Sequence, residues 1–491
     1  MRVRVIGAEA MRGETPDRLG PILFFRGLEG GRLRLAAVVV RPEGETPPAI
    51  ETEGGPAAPR ALLAGAGRRA FGYSFTLPAG GPCEYRFEGE TYPVNAAYDG
   101  DLRLAYASCN GQEHGDRDRD PAERNAMWAC MAAEHAERPF HLLLHGGDQL
   151  YADEILECHP AVQAWAKRAR PKDVDAATAE DARAALHETL FERYLQTFAE
   201  PPFDWLSARI PSLAMWDDHD ICDGWGSLPA VKLDRKIGEV LFEVARACFL
   251  VFQMGAHPEE TPSICIDQSG RSLGWRAALP GVDLIAPDLR SERRPWRVMG
   301  KRGWAGFLEA TRAAAERPDG GRAFILSSVP ALGPRLSWVE AVMILTPTMQ
   351  KYEDDLRDQW QSRAHRDEWK RFLQTVIDLH RADGRRATLL SGEIHLATRG
   401  TLAVEGGPVH QLVASGVTHP APAKGYARGL GLLASLGEAP LPAHPIALRP
   451  LPGQRATYVA QRNYLVLARD DGAWTARWEL EEDGPTPALQ I

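Results

Sequence analysis

Residues 142–154 read LLLHGGDQLYADE. An apolar run ends in two glycines, and Asp148, Tyr151, Asp153 and Glu154 follow at once. A short, unbroken apolar run bounded by glycine reads as a buried strand. Ionisable residues placed directly after such a strand stand where layered α/β proteins bind ligands, beyond the carboxyl ends of their strands.

The same design recurs on either side. Upstream, LRLAYASCN is a strand that delivers Ser108, Cys109 and Asn110, and the stretch PAERNAMWACMAAEHAERP after it reads as helix. Downstream of Ala182, apolar residues at Leu186, Leu190, Tyr194 and Phe198 form a helical stripe. RIPSLAMW is a strand that ends in the acidic run Asp217, Asp218, His219, Asp220 and, three residues on, Asp223; KIGEVLFEVARACFLVF then reads as helix. VDLIAPDLR, RAFILSSVP and RATLLSGE are further short strands, the last delivering Glu393, His395 and Arg399. Strands alternating with helices predict a layered α/β domain. Four strands ending in chemically capable residues predict one shared site at a sheet edge.

The first 98 residues differ. PILFFRG, RLRLAAVVV, FGYSFTL and EYRFEG are rich in β-branched and aromatic residues, and Gly/Pro-rich pieces separate them. They predict an N-terminal β-sandwich, residues 1–98, ahead of a catalytic domain, residues 99–491. The tail YLVLARDDGAWTARWELEE predicts a hairpin turning at Asp471-Gly472. Residues 420–455, rich in Gly, Pro, Ala and Leu, read equally as a lid or a long connection.

At 491 residues, 44% of them hydrophobic, the chain has material for two or three domains and a large core. A net charge of −9 with interspersed signs argues against a basic nucleic-acid stripe or a polybasic membrane patch. The N-terminal MRVRVIGAEAMRGE lacks a signal-peptide pattern, and no run approaches the roughly 18 apolar residues of a membrane span. Seven cysteines without CxxC spacing argue against a disulfide framework or a structural zinc site, which together points to the cytoplasm. Nothing in the sequence speaks to the oligomeric state.

Taken singly, each motif has an ordinary reading. Cys109 could be a small buried hydrophobe, the acidic run a helix cap, and His395 a satisfied core histidine. Together they crowd carboxylate, imidazole, phenol and thiol at strand ends. Burying such groups unpaired costs several kcal/mol, a cost that bound cations resolve.

In this order ASCNG, GGDQLYADE, WDDHDICDGWGS, DLRSERR and SGEIHLA resemble the PhoD-like alkaline phosphatases of the metallophosphoesterase superfamily. The resemblance implies a layered αββα sandwich behind the N-terminal β-sandwich, and a metal-dependent phosphoester hydrolase acting on a small phosphoester. It implies that Asp148 bridges two metal ions and that Tyr151 and Cys109 bind the more oxidising one, with Asp218, Asp223, Glu393 and His395 completing the set. Phenolate with thiolate suits Fe³⁺. The oxygen-rich second position suits a divalent ion, Ca²⁺ first, with Mn²⁺ or Mg²⁺ as alternatives. Asp148 and Tyr151, at i and i+3, would share one side of a loop entering a helix. The chain departs from the family where Asp223 stands for a usual asparagine and Glu393 for a usual aspartate, and it lacks the twin-arginine signal of PhoD.

Two adjacent cations can polarise a phosphoryl oxygen and deliver a bound hydroxide in line with the leaving group. His219 is the candidate general acid, with Asp220 to hold its ring in one tautomer. Asn110, Arg290 and Arg399 are the candidates for gripping phosphate oxygens. Two rivals remain at this point: a metal-free hydrolase with Cys109 as nucleophile, and a non-catalytic metal-binding or interaction protein.

Overall fold

The computed structural model describes residues 15–334, 358–435 and 437–491. Two large sheets form its centre. The first has eleven strands, and its middle is the parallel trio Leu102–Ala107, Leu142–Gly146 and Ser212–Met215. Every residue of these three strands is buried, the polar Arg103, His145 and Ser212 included, because both faces of the sheet are covered here. The second sheet has eight strands, including the parallel set Val282–Ala286, Gly321–Ser327, Arg385–Ser391 and Val409–Val413.

The sheets meet through large side chains. Phe324 of the second packs edge-on against Trp474 of the first, with ring centroids 4.9 Å apart. The Trp478 indole donates across to the carbonyl of Val413 (2.8 Å), and the Trp275 indole to that of Ala214 (2.7 Å). Helices Lys301–Ala315 and Arg366–Arg381 pack beside the second sheet, the latter burying Trp369, Phe372, Leu373, Val376 and Ile377. Helix Ala176–Phe198 buries the predicted stripe of Leu186, Leu190, Tyr194 and Phe198 and packs on helix Lys236–Phe252.

The N-terminal strands fall in two sheets. A small one joins Ile50–Thr52, Gly55–Ala57, Pro82–Phe87 and Glu90–Asn95. The larger strands Leu19–Glu29, Arg32–Pro42, Arg60–Gly65 and Arg68–Pro78 do not stand apart from the rest. Leu19–Glu29 runs parallel to Ser212–Met215, with Phe24 opposite Ser212, so the eleven-stranded sheet continues through the sequence boundary at residue 98.

The tail is the predicted hairpin. Asn463–Asp470 pairs with Ala473–Leu480, and Asp471 and Gly472 both take positive φ (48° and 80°), the two-residue turn that suits the strand twist. Residues 420–455 are more than a plain connection. They hold helix Lys424–Ala434 and strands Glu438–Leu441 and His444–Arg449, the latter pairing with Thr398–Leu402.

Candidate functional site

The four predicted strand ends converge. Leu102–Ala107 and Leu142–Gly146 are hydrogen-bonded neighbours, and beyond them the Asn110 N–H donates to the Asp148 carbonyl (2.7 Å) and Cys109 N–H to that of Gly147 (3.2 Å). The loops approach so closely that side chains would not fit at the glycines. A Cβ on Gly147 would lie 2.8 Å from the Asp217 Cβ, and one on Gly392 would lie 2.3 Å from the Ser108 hydroxyl. Four non-glycine residues at this rim, Cys109, Asp148, Glu393 and His395, hold positive φ. Such conformations cost of order 1–3 kcal/mol each and gather at functional sites.

Asp148 and Tyr151 do not sit on a helix, contrary to the i, i+3 expectation. They lie in an irregular loop, and the next helical turn, Asp153–Glu157, begins only after them. The left-handed backbone at Asp148 (φ 53°) aims the two side chains together, and the Tyr151 hydroxyl donates to Asp148 Oδ2 at 3.4 Å. Tyr151 also stacks on His219 (4.3 Å between centroids) and its oxygen lies 2.9 Å from His395 Nε2.

Among the described residues, two groups have ligand atoms within 4.8 Å of one another: Asp148, Asp217 and Asp218, and Asp218, His219 and Asp223. They draw three members from the predicted metal set and add Asp217 and His219, while Cys109 and Tyr151 lie beside Asp148, 3.6 and 3.4 Å from its Oδ2. Asp148 Oδ1 and Asp217 Oδ2 are buried and take no hydrogen bond from the protein. Burial first, then the charges of Asp217 and Asp218, push the Asp148 carboxyl well above the usual range. Burial likewise lifts Asp217 to about 6 although Arg290 pulls it down. Crowded, desolvated carboxylates with oxygens left over fit a divalent cation.

Cys109 Sγ lies 3.1 Å from the Ser415 hydroxyl and 3.6 Å from Asp148 Oδ2. Burial, then Asp148, pushes its thiol up; burial, then Cys109 and Asp148, does the same to the Tyr151 phenol. Among the described residues the Cys109 sulfur meets Ser108, Asp148 and Ser415 and no imidazole, which disfavours a Cys–His nucleophile. His395 stacks on His419 with centroids 3.4 Å apart, and its backbone N–H donates to Ser415 Oγ (2.8 Å). Glu393 turns to Gln359, whose amide donates to both carboxylate oxygens (2.8 and 3.0 Å).

Four residues given site roles, Asp220, Arg290, Arg399 and Asn110, engage other partners in the structure. Asp220 does not hold the His219 ring. Its carboxylate accepts from the backbone N–H of Asp148 (3.0 Å), Leu150 (3.1 Å) and Asp217 (2.9 Å) and from the Gln253 amide (2.7 Å), tying two loops together. The ring is held instead by Asp153, 2.7 Å from Nδ1, whose other oxygen accepts from the Asp223 N–H at 2.7 Å. Burial lowers the His219 ring, but Asp153, Asp218 and Asp148 together hold it well above the ordinary histidine value.

Arg290 has no donors to spare for phosphate. It is fully buried, pairs with Asp217, reaches Asp218 at 3.3 Å and grips Asp358 with two nitrogens at 2.6 and 2.5 Å. Arg399 lies on strand Thr398–Leu402, its guanidinium donating to the carbonyl of Pro450 (2.7 Å). Asn110, too, is engaged by its neighbours: it donates to the Gln149 carbonyl and accepts from the Trp128 indole (2.8 Å) and the Thr418 hydroxyl.

Sequence reasoning passed over Asp153, Asp358, Gln359 and His419. Asp153 was visible in the opening motif. The other three carry no local signal, because their partners lie tens of residues away.

A family model described as PhoD related phosphatase matches residues 86–353, more than half of the chain. The Uncharacterized protein YGR266W of Saccharomyces cerevisiae is 23% identical over 334 residues, 56% of this chain and 47% of its own length. The chain thus spans about half the length of the curated relative it matches. The solved structure of PhoD superposes with a TM-score of 0.58 at 12% identity, over 97% of this chain and 90% of that one, and so shares the fold. The α/β metallophosphoesterase-like architecture and the extent of the family match lead to one conclusion: the chain belongs to the PhoD-related phosphatases.

Proposed function

We propose that the chain is a metal-dependent phosphoester hydrolase with phosphodiesterase and phosphomonoesterase activity on small substrates. The observation that carries this is the acidic cluster: ligand oxygens of Asp148, Asp217 and Asp218 within 4.8 Å of one another, two of the carboxylates having buried oxygens without protein partners. Asp148, Asp217, Asp218 and Asp223 would hold two cations, with Cys109 and Tyr151 beside Asp148 favouring Fe³⁺ at one position. The oxygen-rich second position suits Ca²⁺, with Mn²⁺ or Mg²⁺ as alternatives. Two adjacent cations, once bound, polarise a phosphoryl oxygen and make water acidic enough to react near neutral pH.

The chain's own residues supply the rest. His219 keeps a proton, because Asp153 engages Nδ1 and neighbouring carboxylates favour the charged ring. Stacking on Tyr151 and the Asp153 contact restrict its rotation, leaving Nε2 to protonate the leaving-group oxygen. Arg290 positions Asp217 and Asp218 rather than touching substrate.

A second role for His219 is also supported. It shares a compact group with Asp218 and Asp223, and a carboxylate on one imidazole nitrogen is the usual arrangement when the other binds metal. Leaving-group dependence separates the two. As a general acid, His219→Ala slows alkyl phosphates far more than nitrophenyl phosphates and retains metal. As a ligand, it slows both equally and loses metal.

The test of the whole reading is metal analysis of the purified protein with turnover of aryl phosphate mono- and diesters. Failure of every metal supplement to yield turnover would remove the hydrolase assignment. A colourless, iron-free protein fully active with zinc alone would remove iron.

A further inference from the structure

Glu393 stands at the tip of a tight turn just beyond strand Arg385–Ser391. The Ile394 N–H donates to the Gly392 carbonyl (2.9 Å), and Glu393 between them takes φ 63°. Both of its carboxylate oxygens accept from one donor, the Gln359 amide. The acidic cluster is different: there Asp148 Oδ1 and Asp217 Oδ2 are buried and take nothing from the protein. Among the described residues the Glu393 carboxylate belongs to neither group of close ligand atoms, although it feels the charges of Asp217 and Asp218.

Gln359 is itself held in place. Its neighbour Asp358 is gripped by two nitrogens of Arg290, accepts from the Ser227 hydroxyl (2.7 Å) and offers its carbonyl to Arg293. On the other side the Trp360 indole donates to the Ser327 hydroxyl (3.1 Å), and the Gln359 carbonyl lies 3.3 Å from His365 Nδ1. Consecutive residues thus do opposite things. Asp358 fixes Arg290 against Asp217 and Asp218, while Gln359 engages a further carboxylate outside the cluster.

We infer that Gln359 is a positioning residue that withholds Glu393 from the cations, leaving the ligand set to Asp148, Asp217, Asp218 and Asp223. The inference rests on the proposed cation cluster. Its consequence is a tuned affinity. Calcium sites tighten with the number of charged ligands they gather, so a chain that keeps one carboxylate back binds the ion more loosely than its side chains allow.

The experiment titrates Ca²⁺, and in parallel Mn²⁺, calorimetrically into the chelated full chain and into Glu393→Gln, Gln359→Leu and the double variant. Glu393→Gln alone should leave the Ca²⁺ affinity unchanged. Gln359→Leu, which frees Glu393, should tighten it about tenfold, the lower end of the scale on which partners of metal ligands change affinity. Adding Glu393→Gln to Gln359→Leu should cancel the gain, which loss of packing at position 359 would not do. Thermal melts check folding, and the unbranched Gln359→Met is the second variant should leucine fail to pack. Weakening of tenfold or more in Glu393→Gln alone would overturn the inference, because Glu393 would then be a ligand in the unaltered chain. Weakening in Gln359→Leu would also overturn it, since the amide would then present Glu393 to the ion. So would a gain that Glu393→Gln does not cancel. Each of these leaves the cation cluster standing, whereas an unaltered chain that binds neither ion would remove the cluster and this inference together.

Discussion

Replacing Arg290 by methionine separates two roles that the sequence alone leaves joined. In the structure the guanidinium has no exposed surface and engages Asp217, Asp218 and Asp358, besides donating to the Trp225 carbonyl at 3.1 Å. Methionine fills much of the same space and supplies no charge. Removing one partner of a buried ion pair typically costs about 3–5 kcal/mol, because the other is left desolvated and alone. Unfolding entropy near 2.1 cal/mol/K per residue gives about 1 kcal/mol/K for a chain of 491 residues melting as one unit. The expected fall in Tm is therefore about 3–5 °C, measured by calorimetry on chelated protein. Added divalent metal should restore part of the loss, since a cation can replace the missing charge beside Asp217 and Asp218. Arg290→Lys, which keeps charge but not the two-pronged grip, should fall between. An unchanged Tm with a raised KM and preserved kcat would refute this reasoning and return Arg290 to the phosphate.

Asp153→Asn should lower kcat about 10–100-fold, the usual scale for losing the partner that orients a functional imidazole, with little change in KM. The limb of the pH–rate profile that reports His219 should move to lower pH, because a carboxylate that holds the ring protonated is gone; an unmoved limb would make Asp153 merely structural. In metal-free protein Asp148→Asn should raise stability by on the order of 1 kcal/mol, by removing a charge crowded against Asp217 and Asp218, while in metal-loaded protein it should lower it; melts in chelator that show the reverse order would count against the cation site. Burial holds His135, His141 and His145 near 4, against about 6.5 in the unfolded chain. The unfolded state takes up protons first, so their contribution is full above pH 6.5 and drains as pH falls towards 4. At 1.36 kcal/mol per pH unit this is about 3 kcal/mol per histidine at most. Urea midpoints should drop between pH 7 and 5, and His145→Gln should flatten that slope; an unchanged slope would show that His145 is not the titrating group.

Much of the architecture was legible from local pattern. Apolar runs ending in glycine mark the buried strands, helical spacing marks Ala176–Phe198 and Lys236–Phe252, and Asp471-Gly472 marks the hairpin, because periodicity and turn chemistry are properties of a few consecutive residues. The order of motifs also pointed to one strand-end site. What it could not supply is which side chain finds which. Asp153 reaches His219 across 66 positions, while the nearer Asp220 turns to backbone N–H groups. The fate of Arg290 depends on Asp358, 68 residues on, and His395 acquires His419 only when neighbouring strands Arg385–Ser391 and Val409–Val413 align. That Leu19–Glu29 extends the central sheet follows from its pairing with Ser212–Met215, a contact nearly two hundred residues distant. Such pairings are set by sheet order and by competition among buried polar groups for a limited number of partners, and both exist only once the chain has packed.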